Sequence, residues 1–380
     1  MKKARVGIVA VLLLSAGLFW RTQATRYELQ QTYFSYTQEE TAALTQDTPP
    51  DINLNDIYLW DQKAFRLVSN NKIGDVDASR IYAYLSVAQR DFAVLSYNAS
   101  GQYLGDISSI SQKVLCTFFT KDCGTLSLNE AKGDALSEGI SSLVMKRVEE
   151  RIAKDAAAKP FTLRTGKDLW SGQQPSIGID AMNRLPWHLS SADEYRPAAP
   201  PQVGSETLKD ELAATKKALT DITEDQRASV VFWAGGPGTK TPPGIWLNIA
   251  DQHMKDNDTE LETVLHLHAD ITTAMADAVI AVFDTKYTYL QKRPYMLDGS
   301  INTVMPTPNH PSYPSGHATI SGAAHTVMTH YFPAKKSLWQ QTATVASNTR
   351  FWGGIHFAVD NGAGARLGEK VGAKALEQSK

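Results

Sequence analysis

Three short segments in the last third of the chain carry residue types that suit the binding and turnover of an oxyanion. Pro314-Ser315-Gly316-His317 stands between a proline-rich stretch and Ala318-Thr319-Ile320-Ser321-Gly322-Ala323-Ala324, which reads as a helix. Ser315 is a natural N-cap. It leaves the amides of Gly316 and His317 at the positive end of the helix dipole, a cradle for a tetrahedral anion. Gly316 lets an anion approach the backbone, and His317 stands in the first turn, within reach of it. Taken alone, Ser-Gly-His is also an ordinary way to begin a helix.

The second segment is Lys286 with Arg293-Pro294 seven positions later. Two close cations are costly without an anion, although Lys and Arg at a helix C-terminus also complement its dipole. The third is Arg350 with His356 and Asp360. Asp360 lies one helical turn beyond His356 and can accept its Nδ1 proton. Such a carboxylate fixes the tautomer and presents Nε2 as a nucleophile or ligand.

The elements that must position these residues are helical by their periodicity. Leu136, Ile140, Leu143, Val144, Val148 and Ile152 form one stripe in a helix predicted over Ser127 to Ala157. Ile81, Tyr84, Leu85, Ala88, Phe92 and Leu95 do the same within Asp77 to Asn98. Further helices are predicted at Glu206–Trp233, Pro243–Lys255, Glu260–Lys286, Ser315–Tyr331, Lys336–Thr349 and Phe357–Glu377. Strand alternation is almost absent, so the fold class is all-α. Two proline-rich stretches, Lys159 to Gly204 and Met305 to Pro314, read as loops, and a loop as long as the first is more often packed and functional than a free linker. It divides an N-terminal helical region (25–204) from a C-terminal catalytic region (205–380).

Other histidines attract less weight. His266 and His268 are two apart on a helix and face different directions, a poor metal pair, and are expected in core or surface roles. His325 shares the His317 face and reads as a packed core residue. Gly235 to Thr241 resembles a nucleotide loop only superficially, because no strand precedes it.

Of the 380 residues, 42% are hydrophobic and 21% charged, an ordinary globular balance. Lys and Arg number 38 against 40 Asp and Glu, a net charge of -2 that argues against a basic nucleic-acid footprint. Any anion site must therefore be built locally. Lys2, Lys3 and Arg5 precede the apolar run Val6 to Trp20, which Arg21 closes. These 15 residues would span about 22 Å as a helix, short of a roughly 30 Å bilayer core. The pattern is that of an export signal over residues 1–24, either cleaved near Thr22-Gln23-Ala24 or retained as an N-terminal anchor. No later segment qualifies as a span, since Leu261 to Phe283 carries Glu262, His266, His268, Asp270 and Asp277. The expected compartment is periplasmic or extracellular. There, Cys116 and Cys123, the only cysteines, are expected to pair, the alternative being two buried thiols.

Lys286-x6-Arg293-Pro294, Pro314-Ser315-Gly316-His317 and Arg350-x5-His356-x3-Asp360 together resemble, in order and spacing, the signature of the type 2 phosphatidic acid phosphatase and vanadium-dependent haloperoxidase superfamily. Phe232-Trp233-Ala234, Thr241-Pro242-Pro243-Gly244-Ile245-Trp246 and Ala276-Asp277-Ala278 followed by Lys286-Tyr287 are similar to its bacterial haloperoxidase branch. The resemblance extends over about Val230 to Leu367. It implies an all-α helical bundle in which Lys286, Arg293 and Arg350 hold the oxygens of phosphate or vanadate, with Ser315 and the Gly316 amide adding hydrogen bonds. It also implies His356 as phosphate-attacking nucleophile or axial vanadium ligand, and His317 as general acid/base. Thr349 departs from the serine usual in the lipid phosphatases but keeps the hydroxyl.

One oxyanion pocket serves two chemistries. Bound vanadate implies oxidation of halide with hydrogen peroxide; without it, the same residues imply an acid phosphatase acting on phosphate esters through a phosphohistidine. His310, seven before His317, resembles a histidine that algal bromoperoxidases carry near the vanadate, and a phosphatase has no evident need of it. The haloperoxidase reading is therefore preferred. An integral lipid phosphatase is disfavoured for want of spans, and an anion-capturing protein without turnover is disfavoured by the two histidines.

Overall fold

The computed structural model describes residues 31–44, 48–126, 134–156 and 161–377; the export signal expected over 1–24 lies outside the described residues. The helices are α1 (Gln38–Ala42), α2 (Leu54–Asn70), α3 (Asp75–Ser100), α4 (Ser108–Phe118), α5 (Ala135–Ala156), α6 (Glu206–Thr220) and α7 (Glu224–Phe232). They continue with α8 (Thr241–Asp256), α9 (Leu261–Tyr289), α10 (Pro294–Leu297), α11 (Gly316–Tyr331), α12 (Lys336–Trp352) and α13 (Ala358–Glu377). Among the described residues extended pairing is limited to one isolated bridge, Asp51 with Leu104, so the fold is all-α as expected. None of these helices is long and apolar enough to cross a membrane.

At the centre lies α9, buried from Thr263 to Tyr287 on every face, as a helix enclosed by others must be. Around it pack α3, α11 and α13, and helices from both sides of residue 204 share one continuous hydrophobic core. The polar residues of α9 are anchor points. Asp277 accepts the amides of Trp187, His188 and Leu189 at 2.7–3.1 Å, and Asp284 takes both Nε and Nη2 of Arg196. These bonds clamp residues 161–204 onto α9. That segment, irregular apart from a short 3₁₀ turn at Ala181–Asn183, is packed as expected of so long a loop.

Two differences from the sequence reading have physical causes. The helix predicted over Glu206–Trp233 is two helices, because Thr223 and Gln226 exchange reciprocal side-chain-to-backbone hydrogen bonds and restart the chain at α7. Helices α2 and α4 were not foreseen. Asn53 caps the first, while the second lacks a side-chain cap and rests on its buried Ile110, Val114 and Leu115. Cys116 and Cys123 are joined in a disulfide tying α4 to the 3₁₀ turn Cys123–Leu126.

Helices α11 and α13 lie in close contact along glycines of α13. A Cβ at Gly368 would overlap the Thr319 carbonyl oxygen and stand 2.8 Å from the Ala323 amide. The contact matters because α11 begins at the Ser315 cap and α13 carries Asp360. Gly368→Ala is expected to destabilise the protein by about 1–3 kcal/mol by overpacking, measured as a shifted urea midpoint. An unchanged midpoint would mean that the two helices have room to part.

Candidate active site

Each segment singled out above reaches the site by a local device. Helix α9 ends where Leu290 adopts a left-handed conformation, φ 54°, with its amide on the Lys286 carbonyl. The turn leaves Lys286 in the last helical turn and brings Arg293 to the start of α10. Ser315 caps α11 by accepting the Ala318 amide. Gly354, at φ 76°, turns the chain between α12 and α13, with the Ile355 amide on the Arg350 carbonyl. His356 thereby returns to the side of Arg293.

The side chains converge. Arg293 Nη1 donates to His356 Nε2 at 3.0 Å and to the Ile355 carbonyl at 2.6 Å. Its Nε donates to the His310 carbonyl at 3.0 Å and its Nη2 to His310 Nδ1 at 3.1 Å. His356 Nδ1 lies 2.9 Å from Asp360 Oδ2. Because the guanidinium can only donate, Nε2 is the acceptor and the proton of His356 is on Nδ1, held by Asp360. Asp360 Oδ2 also accepts the Ser312 hydroxyl at 2.6 Å and the Phe357 amide at 3.2 Å. The Asp360 carbonyl accepts the Ser315 amide at 3.0 Å, which joins the starts of α11 and α13.

Lys286 has a different position from the one its sequence suggests. Its Nζ donates to the carbonyls of Pro311, Ser312 and Pro314 at 2.9, 2.8 and 2.5 Å. An ammonium has three donors, so all are committed to the loop before α11. Lys286 pins that loop and contributes its charge, rather than offering a hydrogen bond to an anion. Arg350 is the converse. Its Nε donates to Thr349 Oγ1 at 3.1 Å and its Nη2 to the Val230 carbonyl at 3.3 Å, while the buried Nη1 has no acceptor. An ideal Cβ built on Gly316 meets no atom within 4 Å, so open space faces the start of α11. His317 is partly exposed there, and its Nε2 lies 2.8 Å from the Trp233 carbonyl. With Nε2 donating, Nδ1 is the ring nitrogen left to accept a proton.

Electrostatics state the same need. Lys286, Arg293 and Arg350 are almost wholly buried. Asp360 opposes the first two, and Asp75 also opposes Lys286. Burial, then the Arg293 charge, holds the Lys286 ammonium well below its ordinary value. Burial brings Arg293 down to about 10, and burial together with Arg293 brings Arg350 to about 9. His356, His310 and His317 are all pushed well down by burial and by these cations, so each is neutral. Burial raises Asp360 to about 6 against the pull of Ser312 and Lys286. A multiply charged oxyanion would relieve every one of these costs except that of Asp360. The residues therefore fit vanadate or phosphate, with Arg350 Nη1 as the idle donor.

Residues 267–376 match the family model of the PAP2 superfamily. That match covers less than a third of the chain. Among solved structures, a bacterial vanadium-dependent iodoperoxidase superposes with a TM-score of 0.74 at 20% identity, over 87% of this chain and 98% of that one. Holo and apo forms of a bacterial vanadium-dependent chloroperoxidase superpose at TM-scores of 0.67 and 0.65 with 12% identity, over 89% and 81% of this chain and 98% and 94% of theirs. Likeness at this identity establishes a common fold. No curated protein matches the sequence. The pocket gathers Lys286, Arg293, His310, Ser315, Gly316, His317, Arg350, His356 and Asp360.

Sequence reasoning missed Ser312 and the carbonyls of Val230 and Trp233. The last two belong to the closing turn of α7, where helix carbonyls lack internal partners, and they receive Arg350 and His317. A backbone carbonyl leaves no mark in a residue pattern. Ser312 sat inside the segment already singled out but has no spacing that reveals its bond to Asp360. His325 is not in the PAP2-type pocket and lies 3.4 Å from Glu369.

Arg350→Met is expected to weaken phosphate or orthovanadate binding by about 10–100-fold, the worth of hydrogen bonds to a charged ligand. The melting temperature of the anion-free protein should hold or rise, because a buried charge without a counter-ion is removed. Calorimetry and thermal melts check both halves, and full affinity in Arg350→Met would contradict the assignment.

Asp360→Ala is expected to lower anion affinity or activity by about 10–100-fold, through loss of the His356 tautomer. Unchanged anion affinity and unchanged turnover in this variant would refute the role.

The anion-free protein should also lose stability as pH falls through about 6.5. Histidines with depressed folded values stay neutral while the unfolded chain takes up protons, at about 1.4 kcal/mol per pH unit for each group. Asp360, with its raised value, acts in the opposite sense between its unfolded value and about 6. Bound phosphate should flatten the acid loss by raising the histidines, and melting temperature against pH, with and without phosphate, measures it.

Proposed function

We propose that this protein is a vanadium-dependent haloperoxidase of the PAP2 superfamily, acting on halide and hydrogen peroxide. In this reading Arg350, Arg293, Ser315 and the Gly316 amide would hold the vanadate oxygens, Lys286 would add charge, and His356 Nε2 would bind the vanadium. The observation that carries the proposal is His310. It is buried at 7% exposure with Nδ1 3.1 Å from Arg293 Nη2, and its ring packs edge-on against Phe283 at 5.2 Å between centroids. A third histidine fixed beside the anion-binding arginine is surplus to ester hydrolysis, which needs one nucleophile and one acid. Bound vanadate supplies the activation of peroxide for two-electron oxidation of halide. Asp360 keeps the proton of His356 on Nδ1, so that Nε2 carries the lone pair, which here accepts from Arg293 Nη1. His317 Nδ1 takes up a proton when the anion offsets the neighbouring cations, and delivers it during turnover. The basic-then-apolar start of the sequence and the Cys116–Cys123 disulfide support an exported enzyme.

A second reading, an exported acid phosphatase, is favoured by the His356 tautomer. With Nδ1–H on Asp360, Nε2 can attack phosphorus in line while His317 protonates the leaving oxygen, and water then cleaves the N–P bond.

Purified protein, with and without orthovanadate, should be assayed for peroxide-dependent halogenation and for p-nitrophenyl phosphate hydrolysis. Vanadate-dependent halogenation is expected, whereas hydrolysis alone, inhibited by vanadate, would replace the first reading by the second. His310→Ala should lower halogenation by about 10–100-fold and leave any phosphate-ester hydrolysis nearly unchanged. His317→Ala should abolish turnover while keeping anion affinity, and His356→Ala should lose vanadate retention. Full activity in His317→Ala would reduce His317 to a residue that merely opens a helix.

A further inference from the structure

Far from the anion pocket, α9 carries a second buried polar group that neither proposed chemistry uses. His268 lies 18 residues before Lys286, about 27 Å along the helix. Its Nε2 is 2.8 Å from Asp251 Oδ1 on α8, and its Nδ1 is 3.5 Å from Asp61 Oδ2 on α2. Exposure is 0% for Asp61 and His268 and 1% for Asp251. The carboxylate oxygens of Asp61 and Asp251 have no hydrogen bond of sound geometry, nor does either ring nitrogen of His268. One atom from each residue can be chosen so that all three lie within 4.8 Å of one another.

The Tyr58 hydroxyl is an independent fourth pointer. The residue is 4% exposed, its ring meets the His268 ring edge-on at 6.1 Å, and burial first, then Asp251 and Asp61, pushes its hydroxyl pKa up. It too lacks a hydrogen-bond partner. The nearby cation, Lys255, stays over the Tyr58 ring, with Nζ 4.3 Å from the centroid.

A proton alone accounts poorly for this arrangement. An imidazolium would satisfy one oxygen of Asp251, would reach Asp61 only at 3.5 Å, and would leave the other carboxylate oxygens bare in the interior, where an unpaired charge is most costly. A divalent cation neutralises both carboxylates at once and takes one ring nitrogen. We propose that Asp61, Asp251 and His268, with the Tyr58 hydroxyl beside them, form a structural site for a divalent transition-metal cation of the zinc class. Nitrogen with two oxygens suits zinc, which binds His and Asp at about 2.0–2.2 Å. Tetrahedral donors at these bond lengths stand about 3.3–3.6 Å apart, so from within 4.8 Å of one another the three side chains close by up to about 1.5 Å around the ion. The ion would tie α2, α8 and α9 together at the end of the bundle remote from catalysis.

The test uses the full-length protein, with elemental analysis by mass spectrometry and thermal melts before and after chelation. One zinc per chain is expected after dialysis against Zn2+ and removal of excess. Chelation should lower the melting temperature by about 3–5 °C, restored by Zn2+ and not by Mg2+. Asp251→Asn should weaken zinc binding at least about tenfold and lose the thermal response. Wild-type protein that is folded by circular dichroism, yet takes up no zinc and melts identically with and without it, overturns the proposal. That arm needs no variant, so a misfolded Asp251→Asn leaves it decisive. Zinc retained equally by Asp251→Asn and His268→Gln would also overturn it, by showing that the metal sits elsewhere.

Discussion

The burial of three cations in one place is the constraint from which the pocket follows. Lys286 and Arg293 are 0% exposed and Arg350 1%, and the Arg293 charge disfavours those of the other two. Such a cluster persists only because the surrounding fold over-determines it. The means are mostly backbone dipoles. Carbonyls of residues 311, 312 and 314 surround Lys286, those of 310 and 355 receive Arg293, and that of 230 receives Arg350. Carbonyl oxygens stabilise a cation without neutralising it, so the positive potential survives for a ligand.

That division of labour separates residues of like charge into unlike roles. Lys286 has spent its hydrogen-bond capacity on holding the loop, whereas Arg350 retains an idle Nη1. His356 and His317 are likewise both neutral imidazoles beside arginines, but opposite nitrogens are engaged. His356 gives its Nδ1 proton to a carboxylate, and His317 turns Nε2 to a helix-end carbonyl. The tautomers differ because the partners differ, and the partner fixes which atom can react.

How far the sequence revealed this depended on the kind of partner. The three motif segments and the all-α class were legible because side-chain identity and apolar spacing carry them. The Asp360–His356 contact was legible too, since residues four apart on a helix are neighbours. Illegible were contacts made by main-chain atoms, such as Val230 and Trp233, and contacts between helices distant in sequence. His268 shows the limit: paired only with His266 it suggested a core or surface residue, and only packing brings Asp61 and Asp251 to it. The break at Thr223 was written in a capping box but was overridden by the run of helix formers on either side.

The clamped segment 161–204 also bears on how the chain comes to be folded. Its bonds to Leu290, Asn309 and Tyr313 join residues more than a hundred positions apart, and Asp360 follows Lys286 by 360 − 286 = 74 positions. Contacts of such separation form slowly, because the intervening chain must be ordered before they reward it. Helices α2 to α5 can therefore settle against one another during synthesis, while the cations of the pocket stay solvated and apart until α13 docks. The repulsion stored in the finished site is thus introduced only when almost all of the core that contains it is already in place.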